Sequence, residues 1–386
     1  MATESIVPRR NRGYSVTASA STVDLIIPSK DRAMQLHLLL ESMGKHLRSM
    51  GRITITWQGS NDNFIAGYEL LKKRVLESPS FSSLRQHSKE IIFRQRNSLR
   101  EVYDAAMDSG NSDYIMPLVD DDVFIRDYDL LNDPASKYFY EHDDTFACAI
   151  RLGDNLSEQV SHSLDDGILH SQPRGHGDSV TITGKPKFIY PVYGYMMSRE
   201  GLEEYHSKKY LVFDWRKNLN VSHWSCFTSV TSMIYRKRDY VFLINKFGKN
   251  NFLRIEALGR LYYMKKAVSL SAIYYTFCFV NYLLSFMLAP IGKTYNNDLL
   301  NYLYAFLSDT FLFRKNIGNT IVVPKESVVA MFGSGGSNNR KNIGDDINVV
   351  LNDRYLSGKI LDLTTYSSLK ILTCWNIYMG EFIDYK

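Results

Sequence analysis

The sequence predicts an α/β protein: a mostly parallel, doubly wound sheet flanked by helices, followed by a mainly helical C-terminal addition. Three observations carry that prediction. Short β-branched apolar runs alternate with stretches of helical periodicity from Val23 to Val119, polar clusters follow the runs, and a long uncharged stretch rich in aromatic residues comes late in the chain.

Residues 1–22, with Arg9, Arg10 and Arg12 among Ser, Thr and Ala, read as a loose tail. Val23–Ile27 is the first strand, stopped by Pro28. Met34, Leu38, Leu39, Met43 and Leu47 recur at helical spacing and predict a helix over Ala33–Leu47. Ile53–Trp57 is the second strand, 63–77 a helix and Ile91–Phe93 the third strand. Ser98–Met107 is a helix with Leu99, Val102, Tyr103 and Ala106 on one face, and Tyr114–Val119 the fourth strand, with Pro117 as its weak point. Residues 153–186, rich in Gly, Ser, Asp and His, read as a long loop, either mobile and functional or disordered. Lys187–Tyr193 returns to strand and Ser198–His206 to helix. From Phe252 the chain is mostly helical, including Asp298–Phe313, before a strand at Thr320–Val323, Pro324 and a Gly/Ser/Asn loop at 333–339.

Composition narrows the function. A net charge of +5 over 386 residues makes no case for nucleic acid as a partner, and 45% hydrophobic against 23% charged residues excludes wholesale disorder. Cys148, Cys226, Cys278 and Cys374 form no CxxC pair, and the N-terminus lacks signal-peptide character, so a reducing, cytoplasmic setting is expected. Of the 26 Tyr, 20 Phe and 4 Trp, 14 fall between Tyr262 and Phe313, and residues 267–292 carry no charge. Three readings of that stretch stand side by side: a buried helical hairpin, a peripheral contact with the cytoplasmic face of a membrane through 267–313, and a spanning helix.

Ligands of doubly wound sheets bind beyond the carboxyl ends of the strands. There the sequence places Pro28-Ser29-Lys30-Asp31-Arg32, Gln58-Gly59-Ser60-Asn61-Asp62 and Asp120-Asp121-Asp122. Three adjacent carboxylates repel one another, a cost that Mg²⁺ or Mn²⁺ would remove; the bland alternative is a solvated acidic turn. Among the nearby cations, Arg32 and Arg100 are the candidates to neutralise a diphosphate, ahead of Arg94 and Arg96. His223 is an outside candidate for a metal ligand, and His170, His176 and Asp178 a weaker one. Gly333-Ser334-Gly335-Gly336-Ser337 lacks the Gly-Lys-Ser/Thr ending of a P-loop.

The order and spacing of these clusters resemble those of the GT-A glycosyltransferases, family 2-like members with a DxD motif. Ile27–Arg32 looks like their opening strand and turn, Gln58–Asp62 like the nucleotide-contacting end of strand two, and Tyr114–Asp122 like the strand that leads into the DxD. Trp57-Gln58-Gly59-Ser60 stands where the family commonly has Asp-Asp-Gly-Ser. The resemblance implies a GT-A domain over 23–250 and a C-terminal region, 251–386, completing the acceptor site. It implies donor contacts from Pro28, Ser29, Lys30, Arg32, Asn61, Asp62, Arg100, Asp120 and Asp121, and Mn²⁺ or Mg²⁺ held by Asp120, Asp122 and His223. The base that deprotonates the acceptor would be Asp309 or Asp214. The implied activity moves a sugar from a nucleotide-sugar, UDP-linked ahead of GDP-linked, to a glycan or lipid-linked glycan, as in surface polysaccharide synthesis. Two other classes remain open: a haloacid dehalogenase-type phosphatase using Asp120 and Asp122, and a non-catalytic, membrane-associated glycan-binding protein.

Overall fold

The computed structural model describes residues 22–98, 112–153, 161–165, 168–172, 209–214, 228–248, 320–332, 347–364, 377–378 and 382–385, with Glu101, Asp104, Ile255, Glu256, Leu258, Gly259 and Tyr262. In chain order the first strands are β1 (Val23–Lys30), β2 (Leu47–Arg48), β3 (Met50–Gln58), β4 (Ser88–Gln95), β5 (Tyr114–Pro117), β6 (Asp122–Phe124), β7 (Tyr128–Asp129) and β8 (Thr145–Ala149). They are followed by β9 (Ser161–Asp165), β10 (Ile168–Gln172), β11 (Tyr210–Asp214), β12 (Met233–Arg236), β13 (Thr320–Pro324), β14 (Val329–Phe332), β15 (Lys359–Leu361), β16 (Ile377–Tyr378) and β17 (Phe382–Asp384). The helices are α1 (Ala33–His46), α2 (Asp62–Glu77), α3 (Ser82–His87), α4 (Pro134–Glu141), α5 (Lys237–Leu243) and α6 (Ile347–Leu356).

The main sheet has eight strands in the order β11-β13-β8-β12-β5-β1-β3-β4. β5, β1, β3 and β4 pair in parallel, and of the remaining four only β11 and β12 run against that direction. Chain order reverses between β1 and β5, since β1 leads outward to β3 and β4 on one side while β5 lies on the other. That reversal is a topological switch point, where crossovers leave on opposite faces and a crevice opens at the strand ends.

The four parallel strands β1, β3, β4 and β5 are the predicted ones; the first three are longer than predicted, and β5 ends at Pro117, short of the predicted Val119. β1 continues through Pro28 to Lys30 rather than stopping at Ile27. The Ile26 carbonyl accepts from Leu118 N at 2.9 Å, so alternation along the strand turns the place of the Pro28 N–H to the same side. β5 has already ended at Pro117 there, so the proline forfeits no ladder bond. Gly59, after β3, allows the close approach of α2: a Cβ there would stand 2.8 Å from the Ile65 backbone nitrogen.

Residues 153–186 differ from a plain loop, because Ser161–Asp165 and Ile168–Gln172 pair as an antiparallel hairpin. Of the predicted helix over Ser98–Met107, Ser98, Glu101 and Asp104 are described, the last two helical and Ser98 in a bend before them. The predicted elements at Lys187–Tyr193, Ser198–His206 and Asp298–Phe313, and the uncharged stretch 267–292, lie outside the described residues. Among the described residues no helix is long and apolar enough to cross a membrane.

The C-terminal region reaches into the main sheet, where β13 lies between β11 and β8. β14 pairs antiparallel with β6, setting Met331 opposite Asp122. α6 packs on α2 and α1: Gln35 Nε2 donates to Asn348 Oδ1 and Asn352 Nδ2 to the Asn63 carbonyl. The Arg74 guanidinium lies between the rings of Tyr355 and Tyr385, 4.5 and 4.0 Å from their centres, and contributes cation–π attraction. A boundary at residue 250 therefore separates no independent lobe, because strands from both sides of it share one sheet.

Candidate active site

The acidic turn follows β5 at the switch point and faces the end of β1. Ser29, buried on the last turn of β1, donates its hydroxyl to Asp120 Oδ2 at 2.8 Å. Arg32 Nη1 donates to Asp120 Oδ1 at 3.0 Å and reaches Asp121 Oδ2 at 3.3 Å, so one guanidinium nitrogen bridges two carboxylates. Tyr68, fully buried on α2, accepts from the Arg32 backbone N–H at 3.0 Å. It lies 2.7 Å from Ser29 Oγ, and because the Ser29 proton is given to Asp120, the Tyr68 hydroxyl is the donor in that contact. Arg32, Tyr68, Ser29 and Asp120 thus close a ring of hydrogen bonds across the β1–β5 crevice.

Two further features fix the rim. Asp31 sits at φ 58°, in the left-handed region. Its N–H donates to the Gln58 carbonyl at 3.0 Å, and its carboxylate accepts from Ser60 N at 2.7 Å, tying the turns after β1 and β3 together. Trp57 stacks on Tyr68, with ring centres 4.8 Å apart, and so fixes the phenol ring that carries the hydroxyl.

The three aspartates have different surroundings. Asp120 is engaged through both oxygens. Asp121 is partly exposed at its side chain, and burial of the turn together with the charge of Asp120 raises its pKa. Asp122 turns inward: its Oδ2 accepts from Thr231 Oγ1, from Ser232 Oγ at 2.9 Å and from Val119 N at 3.1 Å. Burial pushes it up to about 6, against the pull of those three donors. Arg151, buried where the chain leaves β8, adds an attractive charge toward Asp122. Arg32 holds its proton more firmly than a free guanidinium, chiefly through the charge of Asp120.

The remaining sequence candidates divide by position. Lys30 is exposed beside the turn. Pro28 is half-buried one residue before Ser29, and Asn61 and Asp62 lie exposed at the end of β3. There Asn61 caps α2 by accepting from Phe64 N at 3.1 Å, and Asp62 fills its first turn. Asp214 ends β11, the edge strand, and pairs with Thr320 at the start of β13. β13 runs with β1 and β5, so the backbone at Asp214 lies at the end of the sheet opposite the acidic turn. Arg100, His223 and Asp309 lie outside the described residues. Sequence reading missed Tyr68, whose spacing with Phe64, Leu71 and Val75 marks only a buried helix face, and the Thr231-Ser232 pair, which no local pattern links to Asp122.

Among the described residues no three His, Cys, Asp or Glu side chains converge as a metal-binding group. Asp120 and Asp121 supply the hard oxygen donors that Mg²⁺ and Mn²⁺ prefer, and a cationic nitrogen already bridges them. The pair fits a cation that takes the rest of its shell from water and phosphate, as Mg²⁺ commonly does.

Fold and site together define an α/β protein with a cation-bridged acidic turn at a sheet switch point. No family model and no curated protein matches the chain. Among solved structures it is similar to the apo structure of the bifunctional glycosyltransferase WbbM, with a TM-score of 0.29 and 11% identity. The match covers 62% of this chain and 37% of that one, so the chain spans well under half the length of that protein.

Proposed function

We propose that the chain is a metal-dependent glycosyltransferase of the GT-A type, moving a sugar from a nucleotide-sugar, UDP-linked ahead of GDP-linked, to a glycan or lipid-linked glycan. The observation that carries this reading is the bridge from Arg32 to Asp120 and Asp121 across the β1–β5 crevice. It sets a cation and two carboxylates where a doubly wound sheet receives phosphates.

In this reading Asp120 and Asp121 hold Mn²⁺ or Mg²⁺, which when bound supplies Lewis-acid stabilisation of the departing diphosphate. Ser29 keeps Asp120 oriented, and Tyr68 keeps Ser29 and the Arg32 backbone in place. Lys30 and Arg32 contribute positive charge to the leaving group. Asp122 serves a different purpose from the ligand role read from the sequence, because it fastens the turn to Thr231 and Ser232. Asp309 is the proposed acceptor base. A peripheral membrane contact through 267–313 suits a lipid-linked acceptor. The aspartyl-phosphate reading is not favoured, since Ser29 and Arg32 engage both oxygens of the Asp120 nucleophile it needs.

The test is nucleoside diphosphate release from a panel of UDP- and GDP-sugars with Mn²⁺, with and without chelator. The expected result is chelator-sensitive turnover of at least one donor that is lost in Asp121→Asn. Turnover of none, or turnover indifferent to chelator, overturns the proposal.

A further inference from the structure

Arg32 Nη1 already donates to Asp120 Oδ1 at 3.0 Å and Asp121 Oδ2 at 3.3 Å, so a divalent cation taken up by those two oxygens would compete with the guanidinium for them. Both are positive, so repulsion opposes their holding the pair together. We infer that Arg32 is a resident counter-ion that yields this position when metal and nucleotide diphosphate arrive, and then moves onto the phosphate. This deepens the metal-dependent reading above and rests on it.

The local geometry makes the exchange a side-chain event. The Arg32 backbone is pinned at both ends, its N–H to Tyr68 Oη at 3.0 Å and its carbonyl to Leu36 N at 3.0 Å as the first bond of α1. The side chain retains 18% exposure, so it borders solvent. Ser29 holds Asp120 through the other oxygen, Oδ2, and keeps that carboxylate aimed after the guanidinium leaves. A displaced guanidinium presents a planar fork of donors suited to phosphate oxygens. α1 starts beside it with no side-chain cap and no acid in its first turn, so nothing there competes with a phosphate for the arginine.

The consequence is coupling: metal alone binds weakly because it must displace Arg32, and the diphosphate strengthens metal binding by accepting the displaced charge. By linkage the metal strengthens nucleotide binding by the same factor.

The experiment measures Mn²⁺ binding from the electron paramagnetic resonance signal of free Mn²⁺, with and without UDP, for the full-length wild type, Arg32→Gln and Arg32→Lys. Thermal melts establish that each variant is folded. The expected result is Mn²⁺ binding without UDP about tenfold or more tighter in Arg32→Gln, with the UDP-dependent strengthening seen in wild type reduced several-fold. Arg32→Lys, which keeps the charge but loses the fork, should fall between the two. Mn²⁺ binding no tighter than wild type in a folded Arg32→Gln, or in a folded Arg32→Lys should the first variant not fold, overturns the exchange while leaving the metal site standing. Binding of no Mn²⁺ by any of the three proteins, with or without UDP, overturns the metal-dependent reading and the exchange with it.

Discussion

Asp121 and Asp122 are adjacent and chemically identical, yet they belong to two different regions of the molecule. Asp121 lies in the crevice at the β1–β5 switch point, partly exposed, sharing the Arg32 guanidinium with Asp120. Asp122 lies behind it, starting β6, its Oδ2 filled by Thr231, Ser232 and the Val119 amide. One turn thus holds two carboxylates against Arg32 in the crevice and uses the third to fasten itself to the segment that leads into β12. An acidic triplet read as a single ligand set conceals this division of labour.

The division can be broken from either side. The largest effect is expected for Asp122→Ala, which leaves two hydroxyls and an amide without their buried acceptor and should cost about 3 kcal/mol in urea unfolding. A loss below about 1 kcal/mol would show that Asp122 does not fasten the turn. Tyr68→Phe removes the hydroxyl between Ser29 and the Arg32 amide and should cost about 1.5 kcal/mol. Its Mn²⁺–UDP affinity should also fall, because Ser29 and Arg32 lose their common support; unchanged affinity would confine Tyr68 to stability.

The far face of α1 supplies a control remote from the turn. Burial raises Glu41 to about 7, and burial lowers His37 to about 3. Glu41 therefore contributes stability that is present below about pH 4.5 and lost as pH rises through about 7. His37 contributes stability that is present above about pH 6.5 and lost as pH falls toward 3. Between pH 4.5 and 6.5 the two slopes oppose each other. Glu41→Gln should raise stability at pH 8 by about 1 kcal/mol, discounted for partial exposure of the carboxylate, and leave a clear decline below pH 6.5. Parallel pH profiles for the variant and wild type would contradict this. The smallest stability effect is expected for Asp121→Asn, within about 0.5 kcal/mol and toward greater stability, because it removes one of two crowded charges.

Much of the scaffold was legible. Strands β1, β3 and β5 are buried in parallel pairings, so they read as continuous apolar runs, while β4, the edge strand, is only half-buried and shows the short run Ile91–Phe93; Ser29, Arg32 and Asp120 follow from knowing where such strands end. The lengths were less legible, because a strand proline costs nothing where the neighbouring strand has ended, as at Pro28. In the second half of the sheet β13 was legible as the strand over Thr320–Val323, but its neighbours in the sheet were hidden for a different reason. β8, β12 and β13 assemble from segments far apart in sequence, and a short apolar run such as Met233–Arg236 carries no mark of the strand it will join. Asp214 is an instance: its spacing resembles that of a catalytic base, while the direction of β11, which no local pattern reveals, sets its backbone at the end of the sheet opposite the acidic turn.

The most direct test is a calorimetric titration of UDP, in the presence of Mn²⁺, into wild type and Asp121→Asn. The account predicts Mn²⁺-dependent binding to wild type and at least a tenfold loss in the variant, with the melting temperature unchanged or higher. Equal UDP binding by both proteins, or binding to wild type that ignores Mn²⁺, would contradict it.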